Sequence, residues 1–547
     1  MRDQNHWSRI SLENKEKLIY PNLMEGKAIK SPRVRIAPSP TGTLHIGTAR
    51  AALFNYLYAK ANNGKFILRI EDTDLERSSK EFEQNIIDGL KWLKITWDEG
   101  PNPENPEEYL GEYGPYRQSE RKDHYRKYIE QLLDNKKAYH CFCTKEELEA
   151  QKQYQMSAGL PPHYSGTCCN LNDEEVAKKL ADNQPSIIRF RVPHQKLKYN
   201  DLLKGKIEFD TSLLGDIAIA RDLNTPLYNL AVVIDDHEMD ITHVLRGEDH
   251  ISNTPKQILL FEALELEVPK FGHLPLILGP DKSKLSKRHG DVSVSEYKEK
   301  GYLSETMINF MALLGWNPGT EKEIFSLSML VNHFSLDKCQ KSPAMFNQKR
   351  LDWLNGFYIR QMSIKRLTEK CIPHLLNAGL IQPVLETGQH LAGIGPAEIQ
   401  ESYFIKSANK KLRIEDLEKM VLLYQERLKY LGELPELIEF FFKKDLDYAK
   451  DLIMWKETPE STIKDILEAL KLALEEIEIG DWSLSNIDAK ITQFIEIRGL
   501  TGDRGQVLWP MRACLTGKKS SAPPYDIAAV LGKEKTIYRI NQAIKKI

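Results

Sequence analysis

Gly42, His45 and Gly47 stand in the segment Arg35-Ile-Ala-Pro-Ser-Pro-Thr-Gly-Thr-Leu-His-Ile-Gly-Thr48, where a short apolar run gives way to a turn and then to helical spacing. The glycines let backbone approach a ligand closely, and the unpaired N–H groups and dipole of a helix start attract phosphate. His45 can donate to phosphate oxygens as charge develops on them. Far downstream, Lys284-Leu-Ser-Lys-Arg288 lies in a loop bounded by Gly, Pro and Ser. Two lysines on such a loop can close over a triphosphate and stabilise charge on the α-phosphate and the leaving pyrophosphate. A His-x-Gly turn alone is weak, and a basic run alone is most often solvated surface.

The elements that must carry these groups follow from periodicity. Val34 and Ile36 flank Arg35 on a short strand, Ala49, Leu53, Tyr56 and Leu57 recur at helical spacing, and Phe66 to Ile70 is a second apolar run. This predicts a parallel βαβ unit. Phe82, Ile86, Leu90 and Leu93 mark a second amphipathic helix, followed by a Pro- and Glu-rich loop and a boundary near Gly114. Residues 116–210 hold four cysteines and a strand-like Ile187 to Val192, and read as an inserted α/β module. The apolar run Ala231 to Ile234 and the alternation of Ile241 to Leu245 predict a return to sheet, so one nucleotide-binding fold is split by the insertion. After about residue 291 strand signals fade, and Ile463, Ile466, Leu467, Leu470 and Leu474 exemplify the helical spacing of the last third.

With 547 residues, 41% hydrophobic and 28% charged, the chain can bury several cores. Its most apolar short run, Asn309 to Trp316, reads as a buried helix segment rather than a membrane span. Residues 1–30 mix acids with bases and lack the apolar centre of a signal peptide, so they are expected to be an extension of undefined role. Seven cysteines in so long a chain do not suggest a disulfide framework, and a cytoplasmic setting is expected. The net charge of −2 leaves a local basic surface for nucleic acid open.

Taken together, His45-Ile-Gly-Thr48 and Lys284-Leu-Ser-Lys-Arg288 resemble the two signature motifs of class I aminoacyl-tRNA synthetases. Gly114-Pro-Tyr-Arg-Gln-Ser-Glu120, Asn355-Gly-Phe-Tyr-Ile-Arg360 and Trp509-Pro-Met-Arg-Ala-Cys-Leu-Thr-Gly517 are similar to the bacterial glutamyl-tRNA synthetase family, over about residues 33–547. The resemblance implies an α/β fold: a Rossmann-like catalytic domain (31–115 and 211–290) split by an acceptor-stem-binding module (116–210). It further implies helical stem-contact (291–375) and anticodon-binding (376–547) domains.

The same resemblance implies activation of L-glutamate by ATP with Mg²⁺ and transfer to tRNA(Glu), with tRNA(Gln) as a second acceptor left open, by a monomer. His45, Lys284 and Lys287 are then the catalytic set, with Thr43, Gly47 and Ser286 as further ATP contacts. Arg35, Ser39, Glu71, Tyr228 and Arg246 fall on the glutamate-binding positions, Arg246 for the side-chain carboxylate and Glu71 for the α-ammonium. Arg offers a planar fork suited to a carboxylate, although each arginine has a structural salt bridge as its bland alternative. Arg350, Lys410, Lys411 and Arg413 are candidates for tRNA phosphates.

Cys141, Cys143 and Cys168, with Tyr164 or Cys169 as the fourth, resemble the structural zinc ligands of some bacterial members, whereas Asn170 stands where a histidine is expected. Plain apolar packing of these cysteines is the alternative. Glutaminyl-tRNA synthetases share both signatures but are expected to lack the Arg246 position and to carry a β-barrel anticodon domain. A nucleotidylyltransferase would not need the insertion and the helical third, and a silent RNA-binding paralogue would have broken one of the motifs.

Overall fold

The computed structural model describes residues 31–74, 76–384, 402–405 and 410–547. The extension at residues 1–30 and part of the 376–547 region therefore lie outside the described residues.

Strand β1 (Arg33–Ile36), helix α1 (Ile46–Ala61) and strand β2 (Lys65–Leu68) form the expected parallel βαβ unit, β1 and β2 being in register from Arg33↔Lys65 to Ile36↔Leu68. Helix α2 (Lys80–Trp92) follows, capped by Ser79, and the short ladder of β3 (Gly100–Pro101) with β4 (Tyr109–Leu110) closes the loop after it. The parallel sheet resumes only after the inserted segment. That segment comprises α3 (Lys122–Asp134), β5 (Ala138–Cys141), α4 (Lys145–Ser157), α5 (Asp173–Ala181), β6 (Ile187–Phe190), the hairpin β7 (Lys196–Asp201) and β8 (Gly205–Asp210), β9 (Ile217–Asp222) and β10 (Thr225–Pro226).

The segment builds its own antiparallel sheet, in the order β10-β9-β6-β5. The central parallel sheet runs β12-β11-β1-β2, where β11 is His243–Gly247 and β12 is Lys270–Leu274. Helices α6 (Tyr228–Glu238) and α7 (Thr254–Ala263) accompany these strands. Both faces of the sheet are covered: Phe66 and Leu68 enter one core with α1, and Ile67 enters the other with Leu230, Val233 and Ile258. Such double coverage is why these strands read as continuous apolar runs.

Ala231 to Ile234, expected as strand, belongs to α6. All four are buried, so the helix is apolar all round there, and a run of four apolar residues does not distinguish a buried strand from a buried helix.

Beyond the sheet, β13 (Ile277–Leu278) pairs in parallel with β14 (Ala344–Met345), tying the second signature loop to α8 (Val294–Lys300), α9 (Ser304–Leu313), α10 (Leu327–His333) and α11 (Gln348–Arg360). Helix α12 (Ile364–Asn377) opens the C-terminal region. There α13 (Ile414–Leu422), α14 (Leu434–Ile438), α15 (Glu460–Glu475), α16 (Leu484–Ile497), α17 (Gly505–Thr516), α18 (Pro524–Leu531) and α19 (Lys533–Lys546) share one core.

A three-stranded antiparallel sheet, β15 (Gln382–Pro383), β16 (Ser402–Ile405) and β17 (Lys410–Arg413), adds to these helices where no strand was expected. Its strands are too short, and Lys-Lys-Leu-Arg too polar, to carry a period-two signal. Arg350, Lys410, Lys411 and Arg413 are exposed, with Arg350 paired to Glu323 at 2.6 Å and Arg413 to Asp416 at 3.3 Å.

Candidate active site

The cleft opens at the carboxyl ends of β1 and β11, where ligands bind in open parallel sheets, and encloses about 550 Å³. Arg35, Ser39, His45, Gly47, Glu71, Tyr228, Arg246 and Lys284 all line it. Thr43, Ser286 and Lys287 do not, and Thr43 and Lys287 point to solvent from the two signature loops.

His45 is the N-cap of α1, and its Nδ1 accepts from the Gly47 N–H at 2.9 Å. The remaining ring proton is therefore on Nε2, free to donate to a ligand oxygen. Burial, reinforced by the Lys284 ammonium, holds the imidazole below its usual pKa and keeps it neutral. No acidic residue occupies the first turn of α1, so the positive end of its dipole is left for an anion.

The first signature motif is bonded through backbone to the segment that follows the second. Ile46 N–H donates to Val292 at 2.8 Å and Val294 N–H to Leu44 at 2.9 Å, just after the lysine loop. The loop itself is a tight turn, closed by Gly279 N–H on Ser283 O and Leu285 N–H on Ile277 O. Asp281 braces it by accepting from Ser283, Arg288 and His289. Lys284 pairs with Asp249 at 2.8 Å; both are substantially exposed, so little energy holds Lys284 there.

Arg35 and Arg246, on adjacent strands, have opposite surroundings. Arg35 donates to both oxygens of Asp236 at 3.0 and 3.2 Å, and Asp236 is shared with Arg69 at 2.7 Å. The salt-bridge alternative is thus realised for Arg35, although it still lines the cleft. Arg246 is buried and makes no ion pair among the described residues; Nη2 donates to Thr254 Oγ1 at 2.7 Å, Nε donates to His273 Nε2 at 3.4 Å, and Nη1 has no hydrogen-bond partner. Burial depresses its pKa, the signature of a cation with no counter-ion.

Glu71 reaches the site because β1 and β2 continue to pair past their ends, Arg69 N–H on Ile36 O and Glu71 N–H on Pro38 O, each at 3.0 Å. Burial raises its pKa against the pull of Arg69, 3.3 Å away. Tyr228 Oη lies 3.0 Å from His250 Nδ1. This arrangement can seat an amino acid whose side chain is anionic, its ammonium at Glu71 and its reacting carboxylate toward a nucleotide at His45 and Lys284.

The cleft also includes Thr73, Asp249 and His250, which sequence reasoning passed over. Thr73 lies two residues after Glu71, and Asp249 and His250 three and four residues after Arg246, so proximity along the chain to those candidates was the available signal. Arg50, buried with its guanidinium on the carbonyls of Leu314 and Pro275, forms part of the floor.

Away from the cleft, the Sγ atoms of Cys141, Cys143 and Cys168 lie within 4.8 Å of one another. Tyr164 Oη stands 3.3 Å from Cys141 Sγ and 3.6 Å from Cys143 Sγ. Cys169 is outside this cluster, so of the two fourth candidates Tyr164 is the one brought in.

No helix among the described residues is long and apolar enough to cross a membrane. Residues 32–353 match the family described as tRNA synthetases class I (E and Q), catalytic domain, and residues 366–544 match an anticodon binding domain. A glutamate–tRNA ligase of Carboxydothermus hydrogenoformans is 43% identical over 511 residues, 93% of this chain and 98% of that protein. One from Desulforamulus reducens is 42% identical over 94% of this chain and all of its own length. Among solved structures, a glutamate tRNA ligase from Elizabethkingia meningosepticum in complex with its amino acid is 33% identical, with a TM-score of 0.77 over 94% of this chain and 99% of that one. Signature loops joined at the head of a split parallel sheet, a helical C-terminal region and these full-length likenesses agree: the chain belongs to the glutamate–tRNA ligase family of class I tRNA synthetases.

Proposed function

We propose that this enzyme joins L-glutamate to tRNA(Glu) at the expense of ATP, acting as a monomer in the cytoplasm. The observation that carries the choice of amino acid is Arg246, a buried guanidinium lining the cleft with an unpartnered Nη1 and no carboxylate of its own among the described residues. An acidic side chain supplies the missing counter-charge, whereas a neutral amide would leave the cation uncompensated. Seven unpaired cysteines support a reducing compartment.

In the first step an α-carboxylate oxygen of glutamate attacks the α-phosphorus of ATP, and the bond to pyrophosphate breaks. Glu71 holds the α-ammonium, and Arg246 the side-chain carboxylate. The His45 Nε2–H and the Lys284 and Lys287 ammoniums stabilise charge on the phosphoryl oxygens and the departing pyrophosphate, and Mg²⁺ arriving with ATP adds to that neutralisation. Lys287 and Ser286, outside the cleft here, come into reach when the loop closes, and Lys284 exchanges Asp249 for phosphate. In the second step the 2′-hydroxyl of the terminal adenosine attacks the adenylate carbonyl and AMP leaves with the phosphate oxygen. No enzyme nucleophile is consumed, so the gain comes from positioning and charge.

The cysteine cluster fits a structural zinc ion: a tetrahedral thiolate site with bonds of about 2.3 Å spaces its sulfurs about 3.8 Å apart. Cys143 and Cys168 are 3.6 Å apart, with Tyr164 Oη at comparable distances. Cys141, Cys143, Cys168 and Tyr164 would hold the ion, which would pin β5 to the loop before α5 and take no part in adenylation.

Glutamate-dependent exchange of labelled pyrophosphate into ATP, measured with and without tRNA, tests the first step. Exchange with glutamate is expected. Exchange supported by glutamine and not by glutamate would overturn the reading.

A further inference from the structure

Arg246 is held by an unusual arrangement. Its Nη2 donates to Thr254 Oγ1 at 2.7 Å, Thr254 Oγ1 lies 2.9 Å from His273 Nε2, and His273 Nδ1 lies 2.6 Å from Asp201 Oδ2. All four residues are buried. The other carboxylate oxygen, Oδ1, accepts backbone N–H groups from Leu203 at 2.9 Å, Lys204 at 2.8 Å and His273 at 3.3 Å, which fixes Asp201 in place.

Arg246 Nε also donates to His273 Nε2, at 3.4 Å, and the shortest contacts set the order of the remaining protons. An ionised Asp201 only accepts, so His273 carries its proton on Nδ1 and presents the Nε2 lone pair. Of the two acceptors in reach of the Thr254 hydroxyl, His273 Nε2 at 2.9 Å is nearer than the His250 carbonyl at 3.5 Å, so the hydroxyl donates to that lone pair and turns its own lone pair to Arg246. The carboxylate thus orients the guanidinium from two residues away without sitting on it. A direct Asp–Arg pair, of the kind Asp236 makes with Arg35, would have neutralised the fork and blocked it. Here Nη1 remains unpartnered.

We infer that Asp201, His273 and Thr254 are positioning residues that aim the Arg246 guanidinium into the cleft and thereby set the affinity for the acidic side chain. This rests on the reading of Arg246 as the side-chain ligand. Asp201 ends β7 in the inserted segment, and its turn is bonded to β12 by Leu202 N–H on Phe271 O at 2.8 Å. The aim of the arginine therefore depends on how the β7–β8 hairpin seats against the central sheet.

The test is steady-state charging of tRNA by the full-length enzyme carrying Thr254→Val, Thr254→Ser or Arg246→Gln, with KM measured separately for glutamate and ATP and thermal melting followed in parallel. Valine keeps the shape and removes the acceptor; serine restores it. Losing a hydrogen bond to a charged group corresponds to about tenfold or more in affinity. The glutamate KM of Thr254→Val is expected to rise by that factor while its ATP KM stays within about twofold, and Thr254→Ser is expected to return it to the parent value. Should the valine variant not fold, Thr254→Ala reads the same bond with a smaller side chain.

A glutamate KM unchanged in the Thr254 variants but raised in Arg246→Gln would overturn the relay and spare the arginine. An unchanged value in Arg246→Gln would overturn the arginine itself. Equal rises for glutamate and ATP, or no rescue by serine, would reduce Thr254 to packing and overturn the relay.

Discussion

Asp236 grips Arg35 with two hydrogen bonds of 3.0 and 3.2 Å, so one of the three arginines lining the cleft, Arg35, enters it already neutralised. Replacing Arg35 by Gln leaves Asp236 with Arg69 alone and is expected to lower unfolding free energy by about 3 kcal/mol, the low end for breaking a buried pair. Arg246→Gln removes a buried cation that has no counter-ion among the described residues and is expected to change stability by no more than about 1 kcal/mol, while the glutamate KM rises about a hundredfold or more. Urea denaturation alongside charging kinetics separates the two. A loss of stability in Arg246→Gln as large as in Arg35→Gln would contradict the assignment.

The lysine loop makes a different demand. Lys284 and Lys287 are exposed and weakly held, so alanine at either is expected to leave stability within about 0.5 kcal/mol and to slow adenylation by about 10²–10³-fold. Pyrophosphate exchange and tRNA binding by filter retention read the contrast. Equal losses in exchange and in tRNA binding would remove Lys287 from the catalytic set.

Two histidines near the sheet make stability depend on pH. Burial, assisted by Lys270 and by Arg246 respectively, pushes His243 and His250 down to about 4. A depressed folded-state pKa means the unfolded chain binds the proton first, so their stabilisation is complete above about 6.5 and is lost as pH falls toward 4. Urea midpoints are expected to fall through this window, and to fall less in a variant with Gln at both positions. Parallel curves would contradict the assignment.

Much of this was legible beforehand. The βαβ start, the split of the sheet and the eight candidate site residues, of eleven, that line the cleft followed from spacing or resemblance, because strand, turn and helix signals there are local. Ala231 to Ile234 were misread because a helix buried on all sides has lost its polar face. Thr43, Ser286 and Lys287 stand outside the cleft because adjacency in a motif does not fix which way each side chain of a turn points. The relay behind Arg246 was beyond reach, since Asp201, Thr254 and His273 come from a hairpin, a helix and a strand that only the fold brings together.

The cysteine cluster predicts one zinc ion per chain by elemental analysis. Cys168→Ser is expected to abolish it and to lower the melting temperature by several degrees, as the loss of a structural metal does, with glutamate-dependent exchange retained at a temperature where the variant is folded. A metal-free enzyme of full stability would favour plain packing of the cysteines.

The most direct test is charging of purified tRNA(Glu) and tRNA(Gln) with labelled glutamate and, in parallel, labelled glutamine, in the presence of ATP and Mg²⁺. Glutamate on tRNA(Glu) is the predicted result, and its appearance or absence on tRNA(Gln) defines the acceptor range. Glutamine esterified in place of glutamate would contradict the role of Arg246 and with it the account of the site.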